Sequence, residues 1–410
     1  MTEAATGNAV RIPTLADIEA AREVLRGVSV YTPMEESRWL SSIVGGPVLI
    51  KAENLQRTGS FKIRGAYVRM SRLSEEEKAA GVVAASAGNH AQGVALAAQM
   101  LGIKATVFMP EGAPIPKEKA TRGYGADVRF HGVSIDQALL AARQFSDETG
   151  AVLIHPFDHV DIVTGQGTCG LEILEQCPEV KTVVVSTGGG GFIGGIATAV
   201  KSLRPDVRVV GVQAAGAAAY VTSLSVGRPV ALKSMTTMAD GIAVGCPGEV
   251  PFAAIQKYVD EVVTVSEESL SRALLMLLER AKLVVEPAGA AAVAAMLDTP
   301  HAFDTPAVAV LSGGNVDPLL LMKVIRHGLA AAGRYLVFRA RIPDLPGGLA
   351  TLLNELAAAE ANVLDVVHER TSASLHLDEV EVLLQVETRG ADHADRVLAR
   401  LRECGYHLSQ

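Results

Sequence analysis

The chain contains 410 residues, 49% of them hydrophobic, and is long enough for two or three domains with sizeable cores. Its 37 basic and 45 acidic residues give a formal charge of −8, and no long lysine or arginine run could neutralise a phosphate backbone, so nucleic acid is not expected as a partner. Neither a secretion signal nor a membrane span is predicted, because residues 1–27 mix charges of both signs and the uncharged stretch 182–200 contains six glycines.

From residue 48 onward, short β-branched apolar runs alternate with alanine-rich helical stretches. Several runs are apolar throughout, which is typical of parallel strands covered on both faces. The alanine run at 288–297 predicts a packed helix. Residues 15 to 330 are therefore predicted to form an α/β region, with strands at 47–53, 81–88, 104–110, 126–132, 151–156, 181–187, 206–214 and 306–314.

The pattern changes after residue 333. Alternating apolar and polar residues there predict an antiparallel sheet with one exposed face. Strands are expected at 335–342, 362–370 and 378–388, helices at 347–361 and 391–404, and the tail can add a short strand. This order predicts a βαββαβ module of about 75 residues.

Four glycine-rich turns each follow a predicted strand, at 86–93, 186–195, 238–245 and 311–317. In an open α/β sheet, the loops at the carboxyl ends of the strands form the ligand crevice. The four turns are therefore expected to converge on one site.

The tetraglycine segment 188–191 precedes a predicted helix, where free backbone N–H groups and the helix dipole can hold an anion such as a phosphate. It carries neither a Gly-Lys-Ser/Thr sequence nor an acidic ribose partner at the usual spacing, which argues against a nucleoside triphosphate or NAD. A tight turn that allows close helix packing is an equally good interpretation of the glycines alone.

Lys62 lies between the apolar Phe61 and Ile63. A lysine whose ammonium is desolvated has a lowered pKa, as an imine-forming amine requires, whereas an isolated lysine on a helix is more often solvated. Together with a phosphate site, this lysine suggests pyridoxal 5'-phosphate as cofactor.

Six motifs occur in order over most of residues 15–325: "SFKIRGA", "SAGNHAQG", "TGGGGFIGG", "ADGIAV", "VEPAGA" and "LSGGN". With these motifs the chain resembles the threonine dehydratase (threonine ammonia-lyase) and serine racemase family. The resemblance implies a tryptophan-synthase-β-like, fold type II pyridoxal-phosphate enzyme with two α/β subdomains. Its catalytic region would span residues 1–330, with a smaller subdomain, about 50–150, inserted in the larger.

The resemblance also implies the roles of individual residues. Lys62 would bond covalently to the cofactor and move the substrate Cα proton, Asn89 would hydrogen-bond the cofactor's 3-hydroxyl, and Ser312 would meet its pyridine nitrogen. The backbone of residues 86–90 would hold the substrate carboxylate. The implied cofactor-binding residues are Phe61, Lys62, Asn89, Gly188, Gly189, Gly190, Gly191, Phe192, Gly241, Glu286, Ser312 and Gly313, and the substrate-binding residues are Ser86, Ala87, Gly88, Asn89 and His90.

Two departures from racemases of this family bear on the reaction. Racemases carry a serine as second base where this chain has Ala87, so racemisation is disfavoured. The acidic metal ligands of racemases are replaced by Gln213, Ala217 and Ala219, which puts a divalent activator in doubt.

No metal site is predicted elsewhere. His155 and His159 have i, i+4 spacing, but Pro156 would disrupt a helix carrying both. The cysteines lack Cys-x-x-Cys spacing, which favours reduced thiols and a cytoplasmic protein; they are Cys169, Cys177, Cys246 and Cys404.

Residues 334–410 resemble an ACT domain, a small amino-acid-sensing module. Asp344, Pro346, Gly347 and Asn362 fit its strand-to-helix turn and the start of its second strand. An amino-acid effector is therefore a possible ligand, although a purely dimerising module is the alternative.

The sequence thus predicts a cytoplasmic homo-oligomer, dimer or tetramer, that dehydrates and deaminates L-threonine to 2-oxobutanoate and ammonia, and also L-serine to pyruvate. The group that assists the leaving hydroxide is not readable, with the cofactor phosphate as one candidate. The alternatives are a serine racemase or serine-preferring dehydratase and, outside enzymes, an amino-acid-responsive regulator on a degenerate fold. The effector and the pathway, isoleucine biosynthesis or threonine catabolism, are not readable either.

Overall fold

The computed structural model describes residues 10–370 and 378–409. Residues 1–9, part of the segment predicted to lack a secretion signal, lie outside the described residues, as do 371–377 and 410. The chain divides into two compact units, Met1–Asp317 and Pro318–Gln410. This boundary lies ahead of the predicted end of the catalytic region at residue 330.

Fourteen strands lie within the described residues. They are β1 Met34–Glu36, β2 Val48–Ala52, β3 Val82–Ala85, β4 Ala105–Met109, β5 Asp127–Phe130, β6 Val152–Leu153, β7 Thr182–Ser186, β8 Arg208–Ala214, β9 Glu261–Val265, β10 Ala307–Leu311, β11 Tyr335–Pro343, β12 Asn362–Glu369, β13 Glu379–Glu387 and β14 His407–Ser409.

The helices follow the same chain order. They are α1 Leu15–Val24, α2 Arg38–Val44, α3 Lys62–Ser71, α4 Glu75–Ala80, α5 Asn89–Leu101, α6 Ile115–Gly123, α7 Ile135–Thr149, α8 Val160–Gln176, α9 Gly191–Leu203, α10 Ala219–Val226, α11 Glu249–Tyr258, α12 Glu267–Met276, α13 Pro287–Asp298, α14 Pro318–Ala331, α15 Gly348–Ala358 and α16 Ala391–Glu403. Over the ranges that the structure covers, no helix has the length and apolar character needed to span a membrane.

The first unit contains two sheets. The larger has the order β1-β2-β10-β7-β8-β9, with β1 antiparallel at one edge and the other strands parallel. The smaller has the order β5-β4-β3-β6 and is parallel throughout. All strands of the smaller sheet lie between β2 and β7 in the chain. The two sheets confirm the predicted α/β class with two subdomains.

The central strands of the larger sheet are buried on both faces, as their continuous apolar sequence predicts. Every residue of β7 and β10 is buried, and so is most of the alanine-rich α13, which confirms the helix predicted at 288–297. The sequence did not predict β1 or β9. Both lie at the edges of the sheet, where β1 has only three residues and β9 is partly exposed.

The second unit contains an antiparallel sheet with the order β12-β13-β11-β14. Its chain order from β11 to β14 confirms the predicted βαββαβ arrangement. Alternate residues of β13 are buried, and they pack in one core with apolar side chains of α15 and α16. The half-polar alternation of β13 therefore has the predicted cause, one covered face and one partly exposed face, whereas β12 has no buried residue.

Candidate active site

A cavity of about 900 Å³ lies in the first unit, where the loops after β3, β7 and β10 meet the start of α3. The turn 238–245 also lines it, but the prediction that this turn follows a strand was wrong, since α10 precedes it. The structure brings every predicted cofactor- and substrate-binding residue to this cavity except Gly313, which lies behind it against Glu286 and Asn89. The four glycine-rich turns therefore share one site.

Lys62 is the first residue of α3, and its partly exposed side chain lines the cavity. Its Nζ donates a 2.9 Å hydrogen bond to the carbonyl oxygen of Pro156 and lies 5.1 Å from the centroid of the Phe61 ring. Burial lowers the pKa of Lys62 to about 8, although the Glu286 carboxylate acts in the opposite direction. Lys62 is therefore not the solvated helix lysine of the alternative interpretation.

The segment that leads into Lys62 is attached to the loop after β10. Ser60 pairs with Gly313 in an antiparallel bridge, and the Phe61 N–H donates to the Ser312 carbonyl at 3.3 Å. On the other side, the Phe61 ring stacks on Phe192, with centroids 3.8 Å apart and planes 5° from parallel. Lys62 thus starts its helix between two of the glycine-rich loops.

The tetraglycine loop has a backbone that only glycine fits. Gly190 has φ 91°, in the left-handed region, and a Cβ on it would lie 2.0 Å from Tyr220 Oη. A Cβ on Gly189 would lie 2.3 Å from the Phe157 ring. No acceptor in the described part of the chain pairs with the N–H groups of Gly188, Gly189 or Gly190, which precede the N-terminus of α9. The loop therefore has the donors and the helix dipole of an anion site.

Asn89 and Glu286 meet on one wall of the cavity. Asn89 Nδ2 donates to Glu286 Oε1 at 2.6 Å, and Glu286 is 2% exposed. Burial, with a contribution from Asp240, raises the pKa of Glu286 to about 7. Gly241 stands beside this pair, since a Cβ on it would lie 3.6 Å from Glu286 Oε1 and 2.9 Å from the Ala288 Cβ. A flat group can approach the Gly241 backbone where a side chain would obstruct it.

His90 is buried and neutral. Its Nε2 lies 2.8 Å from the Ile154 carbonyl oxygen, which can only accept, so Nε2 carries the proton. Burial, with the nearby Lys62 charge, lowers the pKa of His90 to about 3. The imidazole is thus held by Ile154, the residue that follows β6. The 86–90 loop, which carries His90, lines the cavity.

A family model described as "Pyridoxal-phosphate dependent enzyme" matches residues 26–313. The chain belongs to this family. It is 45% identical over 395 residues to an L-threonine ammonia-lyase of Thermotoga maritima, covering 96% of this chain and 98% of the relative.

Solved structures agree with the family assignment. A threonine deaminase from T.th. has a TM-score of 0.71 and 42% identity, covering 74% of this chain and 99% of that one. A maize serine racemase has a TM-score of 0.73 and 34% identity, covering 78% and 99%. These neighbours confirm the fold type II prediction.

The residues present fit the family's cofactor, pyridoxal 5'-phosphate. The unpartnered glycine N–H groups suit its phosphate, and the desolvated Lys62 amine suits its aldehyde. Ser312 is 5% exposed and follows β10 directly. The cavity thus offers a phosphate site, an amine and polar groups for the ring.

Three residues in or beside this pyridoxal-phosphate enzyme's cavity were not predicted from the sequence: Lys117 and Phe157 line it, and Asn315 bonds to a residue that does. Lys117 is 7% exposed, and its Nζ pairs with Asp240 Oδ2 at 2.7 Å. Phe157 packs under the glycine loop, and Asn315 bonds to Asn89. Asn315 lies in the quoted "LSGGN" motif, whereas nothing in the sequence around Lys117 distinguishes it from a surface lysine.

The histidine pair considered for zinc has local hydrogen bonds. His155 Nδ1 accepts from the Asp158 N–H at 2.8 Å, and His159 Nδ1 accepts from the Asp161 N–H at 3.1 Å. Residues 10–370 and 378–409 contain no cluster of three or more His, Cys, Asp or Glu side chains that could hold a metal ion. The second histidine caps α8 rather than lying within it.

Behind Lys62, α3 of the enzyme is held by buried charges. Arg64 donates to Glu53 through Nε and Nη2, both at 2.8 Å, and to Glu172 at 2.6 Å. Lys51 donates to the second oxygen of Glu172 at 2.6 Å. The two cations and two anions balance, and they connect α3 to β2 and α8.

Proposed function

We propose that this enzyme is an L-threonine ammonia-lyase, which converts L-threonine to 2-oxobutanoate and ammonia and also takes L-serine to pyruvate. The observation that carries the proposal is the desolvated Lys62 amine, which opens on the same cavity as the 86–90 loop and the anion-binding 188–191 loop. The full-length similarity to a protein named L-threonine ammonia-lyase supports the substrate.

When bound, pyridoxal 5'-phosphate withdraws electrons and stabilises negative charge at the substrate Cα. Lys62 would hold the cofactor covalently, and its amine, when free, would take the substrate Cα proton at Nζ while the Cβ–O bond breaks and hydroxide leaves. Its pKa of about 8 leaves part of the amine unprotonated near neutral pH. The unsaturated amine that is released then reacts with water to give the keto acid and ammonia.

The remaining cavity residues bind and orient. Backbone N–H groups of 188–191 and Phe192 would hold the phosphate, and Asn89 would donate to the 3-hydroxyl. Ser312 would be a neutral partner for the ring nitrogen, and Gly241 and Glu286 would help to hold the ring. The backbone of residues 86–90, with Asn89 and His90 as its last members, receives the substrate carboxylate.

Ala87 favours elimination over racemisation. Its methyl group has no proton to donate, so Lys62 is the proposed base on one face and no matching acid stands at position 87 on the other. Serine racemase is therefore the weaker candidate, although its maize relative shares the fold.

The proposal is tested by Lys62→Ala, which is expected to lower the rate of keto-acid formation from threonine by at least about 10³-fold. Cofactor affinity should persist in part, because the glycine loop and Asn89 remain. Steady-state assays on threonine and serine, with cofactor content measured by absorbance, check both expectations. Substantial turnover by Lys62→Ala without added amine would contradict the assignment, and chiral analysis of serine tests for racemisation.

We further propose that the second unit is an ACT-like regulatory module that binds an amino acid. A cavity of about 540 Å³ in this unit is lined by Asp344, Pro346 and Gly347, at the predicted strand-to-helix turn. Arg370 and Asp344 pair at 3.0 Å beside it and provide both charges that an amino acid would need. We propose a cytoplasmic homo-oligomer, and the four unpaired cysteines are consistent with a reducing compartment.

A further inference from the structure

Asn315 connects two segments that carry cavity residues and are distant in sequence. It lies in the loop after β10, and its Nδ2 donates to the Thr58 carbonyl oxygen at 2.6 Å and to Asn89 Oδ1 at 2.8 Å. Both N–H groups of its amide are therefore used. One holds the segment that leads into Lys62, and the other holds the first residue of α5.

These bonds determine the orientation of both amides. The Thr58 carbonyl can only accept, so the Asn315 side that faces it must be the NH₂ group. That NH₂ group also faces Asn89, which must therefore present its oxygen to Asn315. The Asn89 NH₂ group is thereby turned toward Glu286, to which it donates at 2.6 Å.

One donor remains. Asn89 Nδ2 has a second N–H, which no acceptor within residues 10–370 and 378–409 receives, and Asn89 lines the cavity. With the amide reversed, Asn89 would place its NH₂ against the NH₂ of Asn315 and its oxygen against Glu286. Asn315 thus excludes the orientation in which the cavity would lose this donor.

The strained backbone at Thr58 supports the importance of the hydrogen bond from Asn315 to the Thr58 carbonyl oxygen. Thr58 has φ 63°, a left-handed conformation that is unfavourable for a β-branched residue, and it is 8% exposed. The next residue, Gly59, packs against Asn315, since a Cβ on it would lie 2.5 Å from Asn315 Oδ1. The strained turn directs the Thr58 carbonyl to Asn315.

We propose that Asn315 is a positioning residue that sets the orientation of the Asn89 amide and so presents its free N–H to the 3-hydroxyl of the cofactor ring. This inference rests on the proposed role of Asn89. Asn315 acts through Asn89 and does not itself touch the cofactor. Its contribution should therefore disappear when Asn89 is removed.

The experiment is a double-mutant cycle on the full-length protein, read as the dissociation constant for pyridoxal 5'-phosphate and the position of its visible absorbance band. Asn315→Leu, of similar size but without donors, should weaken cofactor affinity by roughly tenfold, as expected for a lost hydrogen bond to a buried group, and shift the band. In an Asn89→Ala background, the same substitution should change affinity by less than about twofold.

Asn54→Leu is the matched control. Asn54 is also buried near this loop, but its Nδ2 donates to the Val284 carbonyl and not to Asn89. Its effect on cofactor affinity should be small and equal in both backgrounds. Melting temperatures of all variants identify any general loss of stability. Should Asn315→Leu fail to fold, Asn315→Asp, which keeps the shape, replaces it in the same cycle.

An equal loss of affinity on Asn315 substitution with and without Asn89 would overturn the proposal, since Asn315 would then act through the fold. An unchanged affinity and band in Asn315→Leu would also overturn it. If the unmodified protein shows no cofactor band, the proposed function fails instead, and the two failures are therefore distinguishable.

Discussion

The chemistry proposed for Lys62 depends on the surroundings of its amine, because they lower its pKa. The Phe61 ring and the Pro156 carbonyl oxygen lie against its amine, and the Glu286 carboxylate favours its charged form. Burial therefore has the larger effect, and the pKa of Lys62 falls from an ordinary 10.5 to about 8.

The lowered pKa of Lys62 predicts how the reactivity of its amine changes with pH. In cofactor-free protein, the rate of labelling at Nζ by an amine-reactive reagent should rise with pH through a midpoint near 8, because only the neutral amine reacts. Glu286→Gln should move the midpoint lower, since the lost carboxylate favoured the ammonium. Mass spectrometry of digests measures the rate, with the exposed Lys119 as internal reference. A midpoint near 10.5, or an upward shift in Glu286→Gln, would show that burial does not control this amine.

Gly190→Ala tests the backbone of the anion site. The left-handed φ and the 2.0 Å approach of a new Cβ to Tyr220 Oη should together reduce the free energy of unfolding by about 3 kcal/mol and weaken cofactor binding. Gly227→Ala is the control, because Gly227 also has positive φ, 79°, but open space at its Cβ. Gly227→Ala should reduce the free energy of unfolding by only about 1 kcal/mol. Urea unfolding measures the stability of both variants, and cofactor titration measures their affinity. An equal loss of stability in the two variants would argue against a crowded loop.

At the scale of secondary structure elements, α3 is positioned by contacts on two sides. Its N-terminus carries Lys62 into the cavity, and its first turn also carries Arg64 into the buried charge cluster with Glu53 and Glu172. Close packing on α8 adds to this, since a Cβ on Gly165 would lie 2.5 Å from the Arg64 carbonyl oxygen. The position of Lys62 therefore depends on residues outside the cavity.

Glu172→Gln should destabilise the first unit by about 3 to 5 kcal/mol, because it leaves Lys51 and Arg64 facing one carboxylate away from water. Asp127→Asn is the matched control, since Asp127 pairs with Arg129 at the surface. It should change the free energy of unfolding by only about 0.5 kcal/mol or less. Chemical denaturation measures both, and a cost for Glu172→Gln as small as the control's would mean that the cluster does not hold α3.

At the scale of the whole molecule, the two units have separate cores. The apolar clusters of the first unit draw on residues 15–310, and that of the second on residues 336–408. All proposed cofactor contacts lie in the first unit. The first unit can therefore bury its core without the antiparallel module.

A chain that ends before Tyr335 should consequently remain folded and active, yet lose any response to isoleucine or valine. An effector changes catalysis only by binding one state better than another, with a coupling of ~1 to 3 kcal/mol that appears as a several-fold shift in apparent substrate affinity. Steady-state assays with and without each amino acid measure this shift in apparent substrate affinity. Full effector sensitivity in the truncated chain would locate the site elsewhere, and complete loss of activity in a folded, cofactor-loaded chain would make the module part of the working enzyme. A second truncation at Asp317 tests whether α14 is needed.

Local patterns in the sequence were sufficient to predict the central strands, the glycine-rich turns and the βαββαβ order of the second unit. Continuous apolar runs such as β7 and β10 can only be buried, and alternation such as that of β13 requires one covered face. Lys62 was identified in the same way, from its apolar neighbours and a resemblance between motifs.

Only the tertiary structure decided which distant groups meet. The pairs Lys117 with Asp240, Arg64 with Glu172, and Asn315 with Asn89 are each more than 100 positions apart, and no local pattern marks either member as a partner. The edge strand β1 was missed for a related reason, because pairing with β2 creates it and its residues carry little apolar signal. The other missed edge strand, β9, is rich in valine and could have been predicted from its own sequence. Burial and hydrogen-bond complementarity are properties of packed elements, and they come into existence only when the chain is folded.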